Sequence, residues 1–132
     1  MEHADVRNVE LVLPADLGYI RLARLVASGV ASGAGLDVDD VADFRIAVDE
    51  LCATLMETTD SDVVLVFSVA PDGLRVSGST TSTETRPPDP DRMALAQQIL
   101  DVVADEYEYT TDDGRPLFRL RKRITSPLRH RA

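Results

Sequence analysis

DVADFRIAVDELCATLME, residues 40–57, is the stretch that decides the fold. Val41, Phe44, Val48, Leu51, Cys52 and Leu55 recur at helical spacing and fall on one side of a helix, while Asp43, Ala47, Glu50 and Thr54 fall on the other. Such a helix has an apolar face for a core and a separate polar face free to carry chemistry. Just ahead of it Asp37 is placed to cap the N-terminus, and Asp39 and Asp40 put negative charge in the first turn, where the helix dipole favours it.

Working outward, Val9, Leu11 and Leu13 alternate as a strand with one buried face, ended by Pro14. From Asp16 to about Ala34 the apolar positions Tyr19, Leu22, Val26 and Val30, flanked by Leu25, recur at helical spacing and predict a first helix. On the other side, DVVLVFSV (62–69) reads as a buried strand. Pro71-Asp72-Gly73 turns it into a second strand running from Leu74 to about Gly78. TSTETRPPDPD follows as a long polar loop. Asp91 is the expected cap of a third helix carrying Met93, Ala96, Ile99, Leu100 and Val103. Tyr107 and Tyr109 mark a further strand, and Asp112-Asp113-Gly114 turns into a last one with Phe118 and Leu120 on one face and Arg119 and Arg121 on the other. The order β-α-α-β-β-α-β-β predicts an α/β (α+β) two-layer sandwich, a mixed and mainly antiparallel sheet covered on one face by three helices.

A chain of 132 residues is expected to form one domain, here 1–124, followed by a basic C-terminal tail, 125–132. The N-terminus lacks a basic-then-apolar leader and no apolar run reaches the roughly 18 residues of a membrane span, so a cytoplasmic protein without membrane contact is expected. One cysteine, Cys52, and two histidines near the termini, His3 and His130, make a structural metal site improbable; Cys52 reads as a small core filler. All 23 acidic residues lie within 1–113 beside 7 basic ones, and the other 7 basic residues lie within 114–132. An acidic body repels the phosphate backbone, which disfavours direct nucleic-acid binding and points instead to a basic protein partner.

Residues 40–57 also resemble the second helix of the anti-sigma factor serine kinases of the partner-switching, RsbW-like type, within the GHKL (histidine-kinase-type) ATPases. That family reads A-V-x-E-A-x-T-N here, and Ala47-Val48-Asp49-Glu50-Leu51-Cys52-Ala53-Thr54 fits the frame, with Glu50 on the family glutamate and Thr54 on the family asparagine. LPADLGYIRLARLVASGVA upstream and DEYEYTTDDGRPLFRLRKR downstream resemble the family's opening strand-to-helix passage and closing strand pair. The resemblance implies a glutamate that polarises the nucleophile of a protein serine/threonine kinase, so Glu50 is the catalytic candidate. Glu50 and Thr54 are the candidates for holding ATP and Mg²⁺. It implies partners too: an alternative sigma factor, an anti-anti-sigma antagonist of the STAS type, and a second copy in a homodimer, with Arg24 and nearby Arg21 as the partner-binding candidates.

The chain departs from that pattern where the nucleotide is gripped. Where the family carries Asp-x-Gly-x-Gly after the third strand, this sequence has Gly78-Ser79-Thr80-Thr81-Ser82-Thr83-Glu84; before the third helix it has Asp91-Arg92-Met93-Ala94-Leu95 in place of a glycine motif. No glycine lies between Gly78 and Gly114, and Asp89 and Asp91 occupy the approach of a phosphate. Threonine offers one short-armed oxygen to a magnesium ion. The expectation is an anti-sigma factor with weak or lost ATP binding and no obligatory cofactor, the alternative being a working kinase of its antagonist.

Overall fold

The structure is a computed structural model that describes residues 7–124. Strand β1 (Arg7–Pro14) leads through a 3-10 turn (Leu17–Tyr19) into α1 (Ile20–Gly33) and α2 (Val38–Glu57). The hairpin β2 (Asp62–Ala70) and β3 (Gly73–Thr80) follows, then α3 (Pro90–Val103) and the hairpin β4 (Glu106–Asp112) and β5 (Arg115–Arg123). The five strands form one sheet in the order β1-β2-β3-β5-β4, and all four ladders are antiparallel, so no parallel pair is present among the described strands. The expected two-layer sandwich is the observed architecture. The C-terminal tail at 125–132 lies outside the described residues.

Local chemistry accounts for the boundaries. Asp37 caps α2 by accepting from the Asp40 N–H at 2.9 Å, as its position predicts. Helix α1 starts later than expected, because Asp16 caps the 3-10 turn by accepting from the Gly18 N–H. At its far end Gly35 takes a φ of +93° while Gly35 N–H donates to Ser32 C=O and Leu36 N–H to Ala31 C=O, the paired bonds of a Schellman stop. The cap of α3 is Asp89 rather than Asp91; Pro90 takes the first helical position, where a missing N–H costs nothing, and Asp91 falls in the first turn. The β4–β5 hairpin closes on Asp113 (φ 51°) and Gly114 (φ 81°), both left-handed, as a two-residue primed turn requires.

Strand alternation puts Val63, Leu65 and Phe67 of β2, Leu74 and Val76 of β3 and Phe118 and Leu120 of β5 inward beneath the helices, all buried. Central α2 lies on this face, flanked by α1 and α3, with Phe44, Val48, Leu51, Cys52 and Leu55 fully buried as predicted. Gly78 of β3 sits directly under it. A Cβ there would come within 2.5 Å of Leu55 Cδ1 and 2.7 Å of Leu51 Cδ2, so the missing side chain brings strand and helix together.

Helix α1 departs from the expected pattern. Its buried residues are Ala23, Ala27 and Ala31, an i, i+4, i+8 ridge of small side chains that lets α1 approach α2 closely. Of the apolar positions that marked the helix, Tyr19, Leu22 and the flanking Leu25 are exposed, Leu25 to 70%, and Val26 and Val30 are half-buried. Leu22 and Leu25 thus point off the fold, while Ile20, Val26 and Val30 pack partly against the core.

Candidate functional site

The polar face of α2 is the site that the sequence singles out, and the structure covers it. Ala47 and Thr54, expected on an open face, are buried, because α1 and α3 close over the flanks of α2 on either side. Thr54 is 0% exposed, and its Oγ1 has no hydrogen-bond partner among the described residues. Glu50, four residues earlier on the same face, is 16% exposed at its side chain and lies 3.9 Å from the Arg92 guanidinium of α3. Desolvation raises the Glu50 carboxyl above its ordinary value; Arg92 opposes that rise and Asp49 adds to it. Glu57, one helical turn beyond Thr54, buries an Oε1 without a partner, as does the Nε of Arg92. Spacing brings Glu50 and Thr54 together as predicted, but against a helix rather than against a cavity.

The loop before α3 is pinned over the end of α2. Arg86 N–H donates to Thr58 C=O at 2.9 Å, the Arg86 guanidinium pairs with Asp60 at 3.0 Å, and Thr85 Oγ1 donates to Gly114 C=O at 2.7 Å. A magnesium–nucleotide group would need Glu50 and Thr54 to face open space, a second oxygen donor near Thr54 and free backbone N–H groups ahead of α3. Thr54 has no solvent access, Arg92 already faces Glu50, and the Asp91 N–H is taken by its own cap at 3.4 Å. As placed, these residues do not fit that group. Among the described residues no cluster of three or more His, Cys, Asp or Glu side chains could hold a metal ion, and Cys52 is buried with its thiol pushed up to about 12.

An open feature lies on the other flank. Arg21, Arg24, Leu25 and Ser28 of α1 and Arg45 of α2 line a cleft of about 440 Å³. Arg24 is held by Asp49 through two bonds, Nε to Oδ1 at 3.0 Å and an Nη to Oδ2 at 3.3 Å, so its guanidinium is oriented by α2 rather than free. Arg45 and Asp49 were not among the residues the sequence suggested, although their i, i+4 spacing on one helix was visible. Arg92 and Glu57 were not either, and nothing local marks Arg92: only the packing of α3 brings it to Glu50.

The fold is similar to that of an RsbW domain of known structure. The described fold superposes on the crystal structure of the RsbU and RsbW domains of a Mycobacterium tuberculosis protein with a TM-score of 0.72 at 20% identity, covering 92% of this chain and 33% of that one. In sequence the chain is similar to the serine-protein kinase RsbW of Bacillus velezensis, 37% identical over 76 residues, covering 54% of this chain and 48% of that protein. It is also 24% identical over 127 residues to RsbW of Bacillus mycoides, covering 81% of this chain and 79% of that protein. The chain spans about half the length of the first of these relatives. No protein-family model matches it.

Proposed function

We propose that residues 1–124 act as one cytoplasmic, protein-binding domain of anti-sigma type, which sequesters an alternative sigma factor, is relieved by an anti-anti-sigma partner of the STAS class, and binds ATP weakly or not at all. The observation that carries this reading is the contrast between the two flanks of α2. On one, Thr54 is sealed and Arg92 faces Glu50; on the other, Arg21, Arg24 and Arg45 stand around an open cleft beside exposed Leu22 and Leu25. The relatives bear the name serine-protein kinase RsbW, which favours the partner-switching family over an unrelated binding role. No helix among the described residues is long and apolar enough to cross a membrane, in keeping with a cytoplasmic setting.

Three arginines within a chain of net charge −9 narrow the partner's chemistry. The partner's own net charge can be basic, but the segment that enters the cleft should be acidic with an apolar side chain for Leu25. Arg24 already spends donors on Asp49, so Arg21 and Arg45 are the cleaner probes. Arg21→Glu with Arg45→Glu should abolish pull-down of the sigma factor without loss of fold; unchanged capture would sink the assignment. A homodimer is part of this proposal and is checked by sedimentation equilibrium.

A second reading keeps the kinase, and Glu50 favours it: the carboxylate stands where the family glutamate stands. Incubation with labelled ATP and the STAS partner decides between the two. Phosphate transfer that Glu50→Gln abolishes would establish the kinase. Absence of transfer, together with no heat of binding on titration with Mg-ATP, supports the binding protein.

A further inference from the structure

The groove between α1 and α2 collects positive charge that the rest of the fold does not answer. Arg21, Arg24, Leu25 and Ser28 lie at i, i+3, i+4 and i+7 along α1 and so share one face of that helix, and Arg45 reaches the same cleft from α2. No carboxylate among the described residues lines the cleft, although the chain carries 23 acidic residues. Asp49, beside it, is spent on Arg24, which it grips through both oxygens at 3.0 and 3.3 Å. Arg21 and Arg45 are exposed and have no hydrogen bond or ion pair among the described residues. Two planar forks of N–H donors are therefore left open side by side, a like-charge arrangement that an external anion relieves. Charge and donor number select that anion. A lone carboxylate brings one negative charge and two oxygens, enough for a single fork. A phosphate monoester brings about −1.5 to −2 at neutral pH and three acceptor oxygens, which matches two open forks together with the Ser28 hydroxyl. A cleft of about 440 Å³ has room for one side chain and its neighbours, and Leu25, 70% exposed, offers those neighbours an apolar contact.

We propose that this cleft recognises a phosphorylated serine or threonine side chain of a protein partner, with Arg21 and Arg45 gripping the phosphate and the Ser28 hydroxyl donating to it. This rests on the cleft being a protein-binding face, as proposed above, and adds the chemical state of the residue that enters it. Asp49 sets the strength of the grip. Its carboxylate neutralises Arg24 in the empty cleft, and with that carboxylate gone the third guanidinium is free to turn to the anion.

Fluorescence-anisotropy titration of the full chain tests this with three labelled peptides that differ only at their centre: Ala-Leu-phosphoserine-Leu-Ala and its serine and glutamate counterparts, with inorganic phosphate alone as a competitor. The phosphoserine peptide should bind at least tenfold more tightly than the serine peptide and several-fold more tightly than the glutamate one, and inorganic phosphate should compete at least tenfold more weakly than the unlabelled phosphopeptide. Arg21→Ala and Arg45→Ala should each weaken phosphopeptide binding about fivefold at an unchanged thermal midpoint, since both side chains are exposed. Arg45→Lys keeps the charge and loses the fork, and should still cost about threefold. Asp49→Asn should tighten binding several-fold. Equal affinity for the three peptides would overturn the site, as would binding that neither arginine alters. Inorganic phosphate competing as well as the phosphopeptide would overturn the protein partner. Should the glutamate peptide bind as tightly as the phosphopeptide while capture of the sigma factor is still abolished by Arg21→Glu with Arg45→Glu, phosphate selectivity falls and the partner face stands. Phosphopeptide binding that needs both arginines, with capture of the sigma factor unchanged by the same double reversal, keeps the phosphate site and removes the sigma factor from it.

Discussion

Thr54 shows how far helix spacing alone can place a residue without saying what surrounds it. Sequence spacing placed it correctly, one turn after Glu50 on the same side of α2, but spacing says nothing about what lies opposite. In the fold the hydroxyl is buried, with no partner among the described residues. Replacing it with the isosteric Thr54→Val removes an unsatisfied polar group without opening a cavity, so the variant should be more stable by about 1 kcal/mol. Urea denaturation measures this as a higher midpoint at unchanged slope; a lower midpoint would mean that the hydroxyl has found a partner such as a trapped water. Gly78 makes the opposite demand. In the sequence nothing marked it except its place as the last glycine before the loop, whereas in the structure a Cβ would strike Leu55 and Leu51. Gly78→Ala should cost about 1–3 kcal/mol through overpacking, read as a fall in the thermal midpoint.

At the scale of elements, strands and helices were legible because their periods are distinct, and the core stripe of α2 from Phe44 to Leu55 was legible, although Ala47 and Thr54, assigned to its polar face, are buried. Helix α1 was not, for a physical reason. Pattern reading assigns the large apolar side chains to the core, but α1 packs through Ala23, Ala27 and Ala31, whose small size is what allows close approach. The apolar stripe that marked the helix is the exposed and half-buried one. This reversal separates stability from binding on a single helix. Ala27→Leu should force α1 away from α2 and cost about 1–3 kcal/mol. Leu25→Ser, at a side chain 70% exposed, should change stability by less than about 0.5 kcal/mol yet weaken capture of the protein partner. Thermal denaturation and pull-down of the same two variants check both halves; a Leu25→Ser protein that melts early would show the leucine to be structural. The α3 cap was misplaced by two residues for a similarly local reason: Asp89 and Asp91 are equally good caps in isolation, and Pro90 settles the choice by taking the first helical position.

Across the whole molecule, the separation of charge along the chain turns out to be a packing device. Much of the basic excess beyond residue 113 lies in β5. There Arg119 faces Glu108, Arg121 faces Glu106 and Asp72, and Arg123 faces Glu106, so opposite charges line up where β5 meets edge strand β4 and the β2–β3 turn. Lys122, from the same strand, points inward to Asp40 and Asp43. The acidic body and its basic end were visible in the sequence; that they meet strand by strand was not, because register depends on which residues the turns bring opposite each other.

Most of these exposed pairs contribute little to stability, so the acid side of the pH profile is better probed at Glu50. Its carboxyl is raised, chiefly by desolvation, so the native state takes up a proton at a higher pH than the unfolded chain does. Over the window from the ordinary value of 4.5 up to the raised one, the folded protein binds more protons than the unfolded chain, and stability falls as pH rises. The protonated carboxyl's contribution is fully present below 4.5 and is lost as pH climbs through the folded value. Glu50→Gln has no proton to lose. Denaturation curves of the two proteins should therefore run close together below pH 4.5 and separate above it, with the unaltered chain the less stable at pH 7. Curves that separate in the other direction would mean that Arg92 outweighs burial at this position, and that the polar face of α2 is held shut by attraction rather than carried at a cost.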